Sequence, residues 1–277
     1  MRRLIIIAGP TAVGKTAYAV QLARELGTEI VSCDSRQFYC ELRIGVARPT
    51  DEELAAVPHH FIACRSVTAP YNIYDYAQDA LRVINALFET HDTVLAVGGS
   101  GLYIDALRGC VSRMPSPTPE LRERLQQMPL EEKRAQLKLL DPVYYDRVDL
   151  RNPVRLQRAL EVCLMTGRPY SEVIAEREKW KEENGKWETV VRVLEMERTE
   201  LRERIDRRVD AMMQEGLLDE VRSLLPYREL NTLNTVGYRE LFPVIDGTEE
   251  LDHAVDMIKL NTWHYARKQM TWMKRYC

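Results

Sequence analysis

Apolar residues run unbroken through positions 4–8 and again through 93–97, while between 15 and 26 they recur at helical spacing with Ala19, Ala23 and Leu26 on one face. An unbroken apolar run of this length predicts a strand buried on both faces, and the spaced run predicts an amphipathic helix. Gly27 ends that helix and residues 29–33 form the next strand. Residues 60–64 read as a further short extended piece. Residues 74–90 read as a long helix with Ala77, Leu81, Ile84 and Phe88 on one stripe, and the 93–97 strand ends at Gly98-Gly99. Strands apolar on both faces that alternate with helices imply an α/β fold, a parallel sheet covered on both sides.

The pattern changes at Met114-Pro115-Ser116-Pro117-Thr118-Pro119, a boundary signal because successive prolines stop both helix and sheet. From 120 to about 186 it is helical and highly charged, and no strand follows until 188–196. Residues 1–113 and 188–277 therefore read as the core, and 114–187 as a small helical domain inserted into it. Helical spacing resumes after Thr199, with breaks at Pro226, Gly237 and Gly247. A last helix from about 249 carries Leu251, Ala254, Val255, Ile258, Thr262 and Tyr265 on one face.

Composition adds exclusions. With 277 residues, 45% hydrophobic and 29% charged, the chain is globular, and a net charge of −3 excludes a globally basic nucleic-acid coat while leaving room for a local basic patch. No stretch approaches the roughly 18 consecutive apolar residues of a membrane span. The opening MRRLIIIAGP is too short in its apolar run for a signal peptide and reads as a strand. The six cysteines form no C-x-x-C pair, so reduced thiols are expected rather than zinc or disulfides. His59 and His60, adjacent on an extended segment, point to opposite faces and make no metal site with Cys64.

Gly9-Pro10-Thr11-Ala12-Val13-Gly14-Lys15-Thr16 fits G-x-x-x-x-G-K-[ST] between a strand and a helix. In that setting backbone N–H groups curl around phosphate oxygens, the helix N-terminus and Lys15 add positive charge, and Thr16 offers a hydroxyl to Mg²⁺. Asp34 follows the second strand on the same rim of the sheet; it is a general base, a metal ligand or a turn cap. The 93–97 strand lacks the terminal aspartate of motor ATPases and GTPases. It ends in Gly98-Gly99-Ser100, which allows close backbone approach to a ligand and sets a hydroxyl beside it. Arg151, Arg155 and Arg158 are spaced for one helical face, suited to a nucleic-acid backbone or to solvent. Arg202, Arg204, Arg207 and Arg208 are interleaved with Glu203 and Asp206, a pattern of intrahelical pairing from which one arginine could still reach a phosphate. Residues 259–277 mix Lys259, Arg267, Lys268, Lys274 and Arg275 with Trp263, His264, Tyr265, Trp272 and Tyr276 and contain no acid. That suits either an RNA surface or a helix whose rings face the core.

GPTAVGKT, DSRQFY with IGVARPT, VPHH, VGGSGLY, RNPVRLQRALEVCLMTGRP, RIDRRVDAM, GYREL and NTWHYARKQMTW occur in this order. Together they closely resemble the tRNA dimethylallyltransferase family over nearly the whole chain. The resemblance implies transfer of a dimethylallyl group from dimethylallyl diphosphate to N6 of the adenosine 3′ to the anticodon, with Mg²⁺. It implies that the loop Gly9–Thr16 holds the diphosphate, although the family is often described as nucleotide- or ATP-binding. It makes Asp34 the general base, with Ser100 near the leaving group and Arg204 or Arg208 clamping it. Ser35 and Gln37 would read the flipped base, with Arg36 beside them on the tRNA side. Arg151, Arg155, Gln157 and Arg158 of the insertion would contact the anticodon stem-loop. A cytoplasmic monomer is expected, with no membrane partner. The absence of both a zinc-finger tail and a DDxxD motif fits a bacterial enzyme that handles phosphate through its glycine loop. The sequence departs from the usual family pattern at Val13, where serine or cysteine is common, and at Ser100, where threonine is. The rival readings are a small-molecule kinase that uses ATP on the same loop and a nucleotide-dependent RNA adaptor without chemistry.

Overall fold

A computed structural model describes residues 1–69, 71–109, 114–115, 117–175 and 187–276. Two compact units divide the chain, one made of Met1–Arg108 with Lys186–Cys277 and the other of Gly109–Gly185.

The first unit is built on a parallel sheet. Strand β1 (Arg3–Ala8) lies between β4 (Thr93–Gly98) and β5 (Glu188–Val193), and β4 is flanked by β2 (Ile30–Ser32) and then β3 (His59–His60). The apolar runs sit where burial is greatest: Leu4, Ile6 and Ile7 of β1 and Val94 and Leu95 of β4 are fully inaccessible. Edge strand β5 alternates exposed and half-buried residues, as one solvated face requires. The extended piece expected at 60–64 is instead the two-residue β3. Phe61 and Ala63 adopt left-handed φ values of 64° and 47°, which a strand does not contain.

Helix α1 (Lys15–Leu26) stops at Gly27, whose left-handed backbone returns its N–H to Ala23 and Arg24. Thr50 and Glu53 form a capping box for α2 (Asp51–Ala56). Asn72 and Asp75 form another for α3 (Ile73–Leu87), which therefore starts one residue before the predicted helix and ends three earlier. Helix α4 (Gly101–Leu107) follows β4 directly.

The second unit is all-helical among its described residues: α5 (Pro119–Gln127), α6 (Leu130–Leu140), α7 (Pro142–Tyr145), α8 (Pro153–Thr166) and α9 (Tyr170–Ala175). Leu125, Leu137, Leu156, Ala159 and Leu160 form its core. Buried Asp141 accepts from the Tyr144 N–H at 2.9 Å, the Ser171 N–H at 2.6 Å and the Ser171 hydroxyl at 2.8 Å. The expected three-arginine face is incomplete. Asn152 caps α8 and Pro153 opens it, so Arg151 lies outside the helix, exposed beside Asp149. Exposed Arg155 remains on α8, while Arg158 pairs with Glu161 at 3.2 Å and Gln157 donates to the same carboxylate at 3.1 Å.

The chain returns to the first unit through α10 (Arg198–Gln214), α11 (Leu217–Ser223), a 3₁₀ turn at Leu225–Tyr227, α12 (Phe242–Ile245) and α13 (Leu251–Met273). No helix among the described residues is long and apolar enough to cross a membrane. Of the C-terminal rings, Trp272 and Tyr276 pack inward, whereas His264 and Tyr265 are exposed. Trp272 donates to the Tyr276 hydroxyl at 3.1 Å, that hydroxyl donates to Asp105 at 2.7 Å, and a Cβ on Gly101 would lie 2.3 Å from the Trp272 ring. Of the C-terminal cations, Lys259 pairs with Asp210, Arg275 lies near Asp105, and Arg267 and Lys268 are exposed.

Glu220 on α11 organises the loop after β2. Its carboxylate accepts from the N–H groups of Arg43, Ile44 and Gly45 at 3.1, 2.8 and 3.1 Å and from the buried Tyr238 hydroxyl at 2.6 Å. Gly45 lies flat on the Tyr238 ring, where a Cβ would come within 2.5 Å. Glu220→Ala strands these donors and is expected to cost about 2 kcal/mol or more. Urea unfolding should show a lower midpoint with an unchanged slope.

Candidate active site

Strand β1 delivers the chain into the loop from Gly9 to Thr16. Ala12 at φ 65° and Gly14 at φ 97° turn it into α1, and Gly14 as the N-cap has no side chain to satisfy the first-turn N–H groups. Those donors and the helix dipole face an anion-sized space. Val13 packs beneath the loop with Leu201, Ile205 and Ala266. Its departure from the family pattern thus removes a hydroxyl or thiol from an apolar contact and leaves the backbone donors in place. The Lys15 ammonium donates to the Pro10 carbonyl at 2.7 Å. Burial lowers its pKa to about 8, with the Asp34 carboxylate pulling upward and the Arg208 cation pushing further down.

Strand β4 separates β1 from β2 in the sheet, so three strand ends share one rim. A Cβ on Gly98 would lie 2.5 Å from the Cys33 carbonyl, so the β4 end requires glycine to meet the β2 end. Asp34 follows β2, and one of its oxygens accepts from the Arg36 N–H at 2.9 Å. The turn-cap reading is thus true of one oxygen, while the residue also lines open space on two sides. The Ser100 hydroxyl accepts from the Ser35 N–H at 3.4 Å and donates to the Ser35 hydroxyl at 3.3 Å.

Arginines 204 and 208 stand one turn apart on α10, facing the loop. Arg208 donates to the Thr11 hydroxyl at 3.1 Å; burial lowers its pKa while Asp34 opposes the shift. Arg204 pairs with Glu200 at 3.4 Å, and its guanidinium would lie 3.8 Å from a Cβ on Gly14. Intrahelical pairing therefore holds for Arg202 with Asp206 and for Arg204, whereas Arg208 reaches the loop.

Two cavities meet here. One, of about 420 Å³, is lined by Gly14, Lys15, Thr16, Arg204 and Gln37. The other, of about 300 Å³, is lined by Ser35 and Arg36 and by the apolar side chains of Val209, Met212, Val236 and Ile258. Thr11, Asp34, Val46, Arg208 and Tyr265 line both. Arg36 donates to the Thr232 carbonyl at 3.0 Å. Gln37 donates to the Ala47 carbonyl at 3.0 Å and accepts from the Ser32 hydroxyl at 3.4 Å, so both ends of its amide hold protein. Arg151, Arg155, Gln157 and Arg158 belong to the helical unit. Sequence reasoning missed Gln269 of α13, which accepts from the Thr11 N–H at 2.8 Å and donates to the Gly99 carbonyl at 3.0 Å. A polar residue on the buried face of an otherwise apolar stripe was the available signal.

The family described as IPP transferase matches residues 37–276. The chain is 46% identical to tRNA dimethylallyltransferase 1 of Bacteroides thetaiotaomicron, over 99% of its own length and 89% of the relative's. Among solved structures, the full-length tRNA isopentenylpyrophosphate transferase of Bacillus halodurans is 32% identical with a TM-score of 0.69, covering 99% of this chain and 87% of that one. A eukaryotic dimethylallyltransferase acting on tRNA superposes with a TM-score of 0.84 at 24% identity, over 99% of this chain and 70% of that one, and so shares the fold.

The lowered pKa of Lys15 has a consequence for the ligand-free protein. Between pH 8 and pH 10.5 the unfolded chain holds a proton that folded Lys15 has released, so stability rises with pH across that window. Urea unfolding at pH 7.5, 9 and 10.5 should show the protein gaining stability relative to Lys15→Met. A difference constant with pH would mean that the amine is solvated.

Proposed function

The chain belongs to the IPP transferase family, a tRNA-prenylating transferase on a phosphate-loop fold, and on that premise we propose how its residues divide the reaction. Dimethylallyl diphosphate is the donor and N6 of the adenosine 3′ to the anticodon is the acceptor. The observation that carries this reading is that the cationic cavity and the partly apolar cavity share Asp34, Thr11 and Arg208.

The diphosphate occupies the cavity of Lys15 and Thr16, held by the loop from Gly9 to Thr16 with Arg204 and Arg208 above it. The flipped adenine approaches from the other cavity past Ser35 and Arg36. The exocyclic amine is a weak nucleophile because its lone pair is delocalised into the ring. Asp34, through the oxygen not used by the Arg36 N–H, accepts its proton as the N6–C1 bond forms and the C1–O bond to the diphosphate breaks. The loop N–H groups, Lys15 and both arginines stabilise the charge that grows on pyrophosphate, and Ser100 stands beside the reacting carbon. Gln37 serves by fixing the loop of Val46 and Ala47. Arg151, Arg155, Gln157 and Arg158 of the helical unit contact the anticodon stem-loop.

Mg²⁺ fits this donor set. No group of three or more His, Cys, Asp or Glu among the described residues could hold a metal alone. The Thr16 hydroxyl together with diphosphate oxygens is the kind of partly substrate-built site that Mg²⁺ prefers. When bound it neutralises charge on the leaving group. Action as a monomer belongs to the same proposal, and a tRNA substrate supports a cytoplasmic location. A small-molecule kinase is not favoured, because relatives 44–46% identical over nearly the whole chain are tRNA dimethylallyltransferases.

With Mg²⁺, unmodified tRNA and labelled dimethylallyl diphosphate, label is expected in the tRNA; consumption of labelled ATP without prenyl transfer would sink the proposal. Asp34→Ala should lower kcat by about 10²-fold or more with tRNA binding unchanged, as loss of a general base does. Equal loss of binding and turnover would remove Asp34 from that role.

A further inference from the structure

Gln269 sits at the strand-side end of the phosphate loop with both ends of its amide bonded to backbone: Oε1 accepts from the Thr11 N–H at 2.8 Å and Nε2 donates to the Gly99 carbonyl at 3.0 Å. The residue is buried, and one donor facing one acceptor fixes the amide's orientation. The fit has no slack, since a Cβ on Gly99 would lie 2.3 Å from Nε2. Tyr265, one turn earlier on α13, lines both cavities beside it.

The donors left for a ligand can be followed along the loop. Pro10 has no N–H. The Thr11 N–H is held by Gln269 and the Val13 N–H points back to the Pro10 carbonyl at 3.5 Å, while Ala12 between them lines the cavity with its N–H bonded to none of the described residues. Gly14, Lys15 and Thr16 stand at the start of α1, where N–H groups have no intrahelical acceptor. A phosphate chain that starts there and extends toward the strand next meets Arg208 and the Thr11 hydroxyl, which bond to each other at 3.1 Å. Beyond them stands the Asp34 carboxylate, which lines the junction and repels another anion.

We propose that Gln269 is a specificity-determining residue of the donor site: by taking the Thr11 N–H it ends the row of phosphate-binding donors after two phosphates, so that the loop selects a diphosphate over a triphosphate. The inference rests on the reading of the loop as a diphosphate site and names the side chain that sets its length. Gln269 touches no reacting atom; it acts through the loop backbone. The same bonds tie the loop to Gly99, so the two glycine-bearing strand ends keep one spacing.

Calorimetric titration of the full chain with inorganic pyrophosphate and with tripolyphosphate, each in Mg²⁺, tests this. The unaltered protein should prefer pyrophosphate. Gln269→Met keeps the volume and frees the Thr11 N–H. The preference should then shift toward tripolyphosphate by about tenfold, the scale of one hydrogen bond to a charged acceptor. An unchanged ratio in a variant that melts like the parent overturns the proposal. Amide hydrogen exchange on the unaltered protein gives a test that does not depend on the variant folding. Thr11 should exchange slowly without any anion, and Gly14, Lys15 and Thr16 should become slow only when pyrophosphate is added. Protection of Thr11 that appears only with pyrophosphate overturns it equally. An unaltered protein that binds neither anion defeats the diphosphate reading itself, and this inference with it.

Discussion

The first turn of α1 presents backbone N–H groups that no residue of the chain's own helix can accept from, and its N-cap is a glycine with no side chain to offer. A helix end left this way is unfavourable unless an anion or water completes it. Lys15 and Arg208 raise the stakes, because both are cations whose pKa burial lowers. An anion between them relieves the orphan donors and the cations together. Under the proposed reaction, part of the energy of binding that anion is available for work on the leaving group.

The order of the strands turns that anion site into a place for chemistry. Because β4 lies between β1 and β2, the phosphate loop, the Gly98-Gly99 turn and Asp34 emerge on one rim. Gly98 allows the β2 and β4 ends to touch, and α13 closes the rim through Gln269. The result is a cationic cavity and a partly apolar one joined at a carboxylate. A single carboxylate between a leaving group and an incoming amine suits a displacement in which one proton must be removed and little else need be protonated.

Much of this was legible in the chain. The unbroken apolar runs at β1 and β4 specified buried parallel strands, and the glycine spacing with Lys15 and Thr16 specified the loop, because both are local patterns with one stable solution. The short extended piece after β2 was placed too late, since the left-handed residues Phe61 and Ala63 carry no glycine to announce them. Arg151 was assigned to a helical face by spacing alone, although Asn152 and Pro153 mark the helix start just after it. The C-terminal rings looked equally fit for RNA and for the core. The packing of Trp272 on Gly101 places that ring in the core, and that contact joins residues far apart in sequence, while His264 and Tyr265 stay exposed. Gln269 was missed for the same reason: its partners, Thr11 and Gly99, come from the far end of the chain and from the middle of it.

The claim that the two cavities serve the two substrates is tested most directly by a crystal structure with the thiolo analogue of dimethylallyl diphosphate and an anticodon stem-loop bound together. The account predicts the diphosphate against Lys15, Thr16 and Arg208, with the exocyclic amine of the flipped adenine in hydrogen-bond contact with Asp34. A diphosphate bound away from the loop, or an adenine whose amine faces another residue, would contradict it.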